Sequence, residues 1–383
     1  MMKNLIIIIL SVFSLAAQSQ EQKQSYNFTL QQAIAHALQN NYAVINSGRD
    51  IDAAKQKKWE TTAIGLPQIN GGIDYQNFLK QPTTLADFDN DGVNEEFIFG
   101  TKQNVLASAT LSQLIFDGSY IVALQATKTY MRFFENSKQK TDSEVEEMVV
   151  NAYGNVLLNE ESILILQKNK ASLEKTLFDT QETFKNGLIE EESVEQLQIT
   201  LATINSSLNY NIRLKDIAYK RLKIILGIDI DDTVTLADKL DNLTKENLDF
   251  ALTNTEFKLE NNIDYQLGLD LQDQRRLELM LEKSKNLPTL NAFVNYGVSA
   301  NGNNFDFLNS SQKWYGSSLL GVSMNIPIFS SFARSARTQQ ANIAYDQAKT
   351  ELIAAEQRIK LDYEAKKINT SIVLSNTTPL KTT

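Results

Sequence analysis

The sequence predicts a mixed α/β membrane protein in which four β-strands alternate with long coiled-coil helices. Three observations carry that expectation. The hydrophobic period switches from helical to alternating and back again twice along the 383 residues. Past the N-terminal leader no segment offers the roughly 18 consecutive apolar residues of a membrane helix, so entry into a bilayer falls to strands. Between Pro82 and Pro288 there is no proline, and so long a proline-free interior reads as helix.

The chain opens with "MMKNLIIIILSVFSLAAQSQEQ": Lys3 is the positive region, Leu5 to Ala17 the apolar core, and Ala16, Ala17 and Ser19 flank a cleavage point. Residues 1–19 therefore read as a signal peptide, and the mature chain as exported. There is no cysteine, so neither disulfides nor an N-terminal lipidated cysteine are expected. The net charge of -9 argues against nucleic acid as a partner, because phosphates are neutralised by basic surface. With one histidine, no cysteine and no glycine-rich phosphate loop, the chain holds little material for catalysis, and it is not expected to be an enzyme.

Residues 20–64 form an N-terminal segment and first long helix. Thr29 and Gln32 make a capping box, after which helical character continues to about Ile64, where "GLP" stops it. His36 lies within this helix between two alanines and reads as structural. Residues 65–117 form the first β-hairpin. In "QINGGIDYQNF" Ile69, Gly71, Ile73 and Tyr75 share one face; in the strand over 103–116 Val105, Ala107, Ala109 and Leu111 do the same, opposite Ser108, Thr110 and Ser112. The long loop between them contains "LADFDNDGVNEE". Asp87, Asp89, Asp91 and Gly92 match positions 1, 3, 5 and 6 of a calcium loop, but position 12, which should be acidic, is Ile98. The loop is thus a candidate weak calcium site or a plain acidic surface loop, and no cofactor is required.

Residues 118–227 read as a long helical hairpin. From Gly118 to Lys185 about 65 residues of helix would span on the order of 100 Å. Leu173, Leu177, Gln181 and Phe184 follow helical spacing, and a coiled-coil seam resumes as Val194, Leu197, Leu201, Ile204, Leu208 and Ile212. Between the two, Asn186 and Gly187 supply a turn, since glycine takes the left-handed conformation that ends a helix. Glu190, Glu191 and Glu192 follow as a charge run near that tip, either a solvated face or a functional acidic group.

Then the plan repeats. A connector and helix over 228–286 lead to "LPTLNAFVNY", which answers "LPQINGGIDY" with Leu, Pro, Asn and Tyr at a constant offset of 221 residues. A second hairpin over 287–329 places Leu290, Ala292, Val294, Tyr296, Val298 and Ala300 on one face, and Leu320, Val322, Met324, Ile326 and Ile328 alternate after a glycine- and asparagine-rich loop. "LIFDGS" at 114–119 is echoed by "PIFSSF" at 327–332, and a partial final helix is expected over 330–370, followed by an atypical polar tail at 371–383. Four strands cannot close a membrane barrel alone, but copies of the chain can close one together. The long helices would extend it outside the membrane.

These landmarks, in this order, resemble the TolC family of outer-membrane efflux proteins over residues 27 to about 370. They are "FTLQQAIAHALQNN", the two "LP" strands, "LSQLIFDGS" with "MNIPIFSSF", and the hairpin "TFKNGLIEEESVEQLQITL". The resemblance implies a homotrimer whose twelve-stranded barrel sits in the outer membrane of a Gram-negative bacterium, contacts its lipid, and is continued by a periplasmic α-barrel. It also implies a periplasmic adaptor protein docking on the tip at Asn186, Gly187, Leu188 and Ile189, an inner-membrane pump of RND or ABC type, and passive efflux or type I secretion. The acidic aspartate loop would then lie outside the cell. One departure stands out, because the second repeat is expected to end in a second glycine-centred hairpin that is not encoded here. A truncated, non-conducting family member and a calcium-binding surface or periplasmic coiled-coil scaffold are the alternative readings.

Overall fold

The computed structural model describes residues 24–87, 92, 94–246 and 257–377. The predicted signal peptide, Asp89 and Asp91 lie outside those residues. In chain order the elements are β1 (Ser25–Phe28), α1 (Leu30–Asn40), α2 (Tyr42–Ile64), β2 (Gln68–Asn77), β3 (Thr83–Ala86), β4 (Glu95–Ile98) and β5 (Gln103–Asp117). There follow α3 (Gly118–Lys185), α4 (Glu191–Leu226), β6 (Thr233–Leu236), α5 (Leu240–Glu246), α6 (Ile263–Ser284), β7 (Thr289–Gly302), β8 (Tyr315–Asn325) and α7 (Ala333–Thr377). The described residues gather into two compact units, one from those within 1–50, 137–258 and 361–383, the other from those within 51–136 and 259–360.

The core of the first unit is a small-residue and β-branched cluster. Ala33 and Ala37 of α1, Val145, Val149 and Val156 of α3, and Leu222 and Leu226 of α4 are fully buried together. Each such valine or leucine contributes roughly 1.5–3 kcal/mol on leaving water. Tyr153 sits at its centre, where its hydroxyl oxygen lies 3.0 Å from Phe28 O and 2.9 Å from Asp238 Oδ2. Asp238 also accepts from Leu30 N at 2.7 Å, so one carboxylate joins the phenol to the start of α1. Burial, reinforced by the hydrogen bond to Asp238, holds the Tyr153 phenol above the usual tyrosine range.

Two features of this unit depart from the periodicity. β1 and β6 pair in parallel, Ser25 opposite Thr233 through Phe28 opposite Leu236, although four-residue strands are too short to show alternation. The helix expected to run from the capping box to Ile64 breaks at Asn41, whose ψ is 134°. Its amide donates to Ile225 O at 2.7 Å while its Oδ1 accepts from Ala43 N at 2.8 Å, so it starts a new helix instead of continuing the old one. The Thr29 and Gln32 capping box is present. His36 packs among the rings of Tyr26 and Phe28, with centroids at 5.8 and 5.1 Å, and burial lowers its pKa.

The second unit is organised by one antiparallel sheet of order β2-β5-β7-β8. Ile69, Gly71, Ile73 and Tyr75 stand opposite Leu111, Ala109, Ala107 and Val105, which in turn face Val294, Tyr296, Val298 and Ala300. Because side chains alternate, this register collects the apolar positions on one face. β3 and β4 form a separate small hairpin inside the long loop. The final helix runs to Thr377, past residue 370 where the polar composition predicts it to give way. Its exposed face tolerates polar residues, so composition is a poor guide to its end.

Where strands meet helices the chain is tightly constrained. The Tyr120 ring covers Gly65 so closely that a Cβ there would lie 2.2 Å from the phenol oxygen, and the hydroxyl donates to Thr62 O at 3.2 Å. Asp117 Oδ1 accepts from Ser119 N at 2.7 Å, capping α3. At the end of α4, Gly227 takes φ 72°, and a Cβ on it would lie 2.1 Å from Asn40 O. Gly227→Ala is therefore expected to destabilise the full chain by about 2 kcal/mol or more, read as a lower denaturant midpoint. An unchanged midpoint would show that the close approach to Asn40 is not needed.

Candidate functional site

Two places stand out as candidate sites: the turn between α3 and α4, and the faces and edges of the four-stranded sheet. At the turn, Gly187 has φ 73°, its N donates to Phe184 O at 2.8 Å, and Leu188 N donates to Thr183 O at 3.2 Å. This pair of reverse bonds is the Schellman arrangement, which satisfies the last carbonyls of α3 and lets the chain turn back. Asn186 adds a bond from Nδ2 to Glu182 O at 2.9 Å. Leu188 is exposed and Ile189 half-buried. Glu190 stands at the N-cap of α4 without a side-chain cap bond, and Glu191 and Glu192 fill the first helical turn, where carboxylates suit the positive end of the helix dipole.

The sheet carries a polar and an apolar face. Asn295 Nδ2 donates to Thr110 Oγ1 at 2.7 Å and Asn104 Nδ2 to Gln76 Oε1 at 3.3 Å on the polar face, which also holds Asn70 and Asp74. On the apolar face Ile73 is 78 % and Leu320 74 % exposed, far more than solvent-facing isoleucine or leucine needs. Among the described residues β2 and β8 pair on one side only, so each leaves a row of backbone donors and acceptors open. No helix among the described residues is long and apolar enough to cross a membrane.

The outer-membrane efflux protein family model matches residues 259–362. Outer membrane protein TolC of Vibrio cholerae is 24% identical over 343 residues, covering 88% of this chain and 73% of its own length. Among solved structures, CusC superposes with a TM-score of 0.68 at 16% identity, covering 91% of this chain and 76% of the other. The outer membrane protein VceC of Vibrio cholerae reaches 0.66 at 14% identity (90% and 79%), and the CmeC outer membrane channel of Campylobacter jejuni 0.65 at 17% (90% and 71%). This chain is similar to the TolC-type outer-membrane efflux proteins in sequence over these matches and in fold over most of its length. The sheet of four strands joined to long helices is the fold these structures share with it.

Of the acidic loop, Asp87 and Gly92 are among the described residues, and Asp89 and Asp91 are not. Asp87 Oδ2 accepts from Gly92 N at 2.9 Å, and Gly92 has φ 87°. Ile98, at the position where a calcium loop places its last acidic ligand, lies in β4 paired with Thr83. Among the described residues no three His, Cys, Asp or Glu side chains are grouped to hold a metal.

Periodicity gave no hint of a charged cluster between α3 and α6. Asp270, only 1% exposed, receives the Arg132 guanidinium on Oδ1 and Asn136 Nδ2 on Oδ2 at 2.7 Å, while Arg132 Nη2 reaches Asp273 Oδ2 at 2.9 Å. The hydrogen bonds that Arg132 donates to Asp270 and then to Asp273 raise its pKa further. No local motif links residues so distant in sequence, and only a contact across helices reveals them.

Two outcomes follow for these places. Gly187→Val should speed amide exchange and protease cleavage at the turn by about tenfold without moving the global unfolding midpoint, because a Cβ there meets nothing and only the φ is strained. A global shift would mean the turn carries overall stability. Arg132→Ala should lower stability by about 2 kcal/mol in denaturant unfolding by leaving Asp270 short of a partner; no change would make the cluster dispensable.

Proposed function

We propose that the chain is the outer-membrane channel of a tripartite efflux or type I secretion system, conducting substrate passively from the periplasm to the exterior. The observation that carries this reading is the sheet, apolar on one face, polar on the other, and open at both edges. In a bilayer an open edge is untenable, since each unpaired amide or carbonyl costs several kcal/mol. Pairing β2 of one copy with β8 of the next satisfies both rows. Three copies give twelve strands, enough for a closed barrel with the apolar face toward lipid and the polar face around a lumen.

The remaining parts are assigned by family likeness. The helices α2, α3, α6 and α7 leave the strands and continue the barrel into the periplasm. The turn at Asn186, Gly187, Leu188 and Ile189, with Glu190, Glu191 and Glu192 beside it, is the adaptor-docking tip. A periplasmic adaptor and an inner-membrane RND or ABC-type pump supply the energy, because the channel holds none. The net charge of -9 would favour cations within a narrow lumen.

Reconstitution into planar bilayers tests the reading. Stepwise conductance, linear in voltage and cation-preferring, is expected, with no dependence on nucleotide or proton gradient. Bilayers that stay silent at high protein load, while the same sample is folded by circular dichroism, would overturn conduction by this chain and favour the scaffold reading.

A further inference from the structure

The foot of β8 ends in an apolar knuckle that the sheet does not use. Ile328 is 89%, Phe329 74% and Phe332 77% exposed, and the two phenylalanine rings meet edge to face at 6.0 Å. Ser331 and Phe332 have φ of 49° and 64°, the only non-glycine residues with positive φ among those described. A phenylalanine in that region costs about 1–2 kcal/mol, and such strain persists where the surroundings impose a geometry. Arg334 Nη2 donates to Pro327 O at 2.9 Å inside the turn. A guanidinium held there makes hydrocarbon a poor environment for the knuckle.

The register shows what lies beside it. Gln68 is level with Ser112, Ser112 with Phe293, and Phe293 with Gly321. β8 nevertheless continues to Asn325, level with Thr289 and Asp117, so the foot of the sheet steps down from β2 to β8. In a closed barrel such a stagger is shared around the ring. Carrying it one strand further sets Gln68 of a following copy near Ile326 and Pro327. Its Ile64 and Leu66, which are exposed at the end of α2, then fall beside Ile328, Phe329 and Phe332.

We propose that this knuckle docks on Ile64 and Leu66 of a second copy of the chain and sets the head-to-tail register of the assembly. The proposal rests on the channel reading above and adds to it an apolar side-chain contact, which fixes the pairing that open backbone edges leave free to slip. The strained turn that follows β8 presents the rings to the next copy.

The absence of cysteine allows a direct test in outer membranes from cells producing the full chain. Within one copy the feet of β2 and β8 are three strand spacings apart, roughly 14 Å, beyond the ~7 Å limit for a disulfide. A chain carrying both L66C and F329C is expected to form covalent dimers and trimers on mild oxidation, and neither single variant should do so. A particle of several chains without cross-links would overturn the knuckle contact and leave the channel standing. A membrane-embedded single chain would overturn both. F332G separates docking from folding, since glycine suits the positive φ. The oligomeric fraction should fall about tenfold through loss of the buried ring while the heated and unheated monomer fold alike. An unchanged fraction would overturn the proposal.

Discussion

The open hydrogen-bonding edges of β2 and β8 are what the rest of this chain must accommodate. Among the described residues the four strands neither pair their outer backbone groups nor cover their exposed apolar face within one chain, and water or lipid alone satisfies only one of the two demands. Closing the sheet with copies of itself meets both. The constraint explains why so many large apolar side chains of the sheet are exposed on a chain whose other unit has a buried core around Tyr153. It also gives the stagger of the strands a purpose, because a barrel needs shear.

The two units solve different problems. In one, Ala33, Ala37, Val149 and Leu226 pack so closely that Gly227 has no room for a Cβ against Asn40. That density holds the base of the α3–α4 hairpin and leaves its tip free to be defined by local rules alone, the left-handed Gly187 and two reverse hydrogen bonds. In the other, the junctions between strand and helix are closed by Tyr120 on Gly65 and by the Asp117 cap, so each strand passes into its helix in one geometry. The internal repeat is imperfect at this point. Where the first repeat has Gly118 after Asp117, the second has Ser331 after Ser330, and the left-handed backbone appears only in the second. That asymmetry falls at the open edge, where a following copy would meet it.

Much of this was legible in the residues. The period-2 runs named the four strands and their apolar face, the capping box at Thr29 started the first helix, and the offset repeat ordered the elements. What escaped was what period cannot express. β1 and β6 are too short to alternate, the break at Asn41 depends on a carbonyl at Ile225 that only tertiary contact supplies, and Arg132 meets Asp270 across helices with no shared motif. In the aspartate loop, Ile98 at the position of the last acidic ligand is part of a strand, and Asp87 accepts from Gly92, while Asp89 and Asp91 lie outside the described residues.

Counting the chains in the membrane particle addresses the open edges most directly. Native mass measurement of the detergent-extracted, unheated protein should find three copies and no monomer, with twelve strands closing the two edge rows. A particle of a single chain, folded and stable in detergent, would mean that β2 and β8 are satisfied in some other way, and the closed barrel would have to be abandoned.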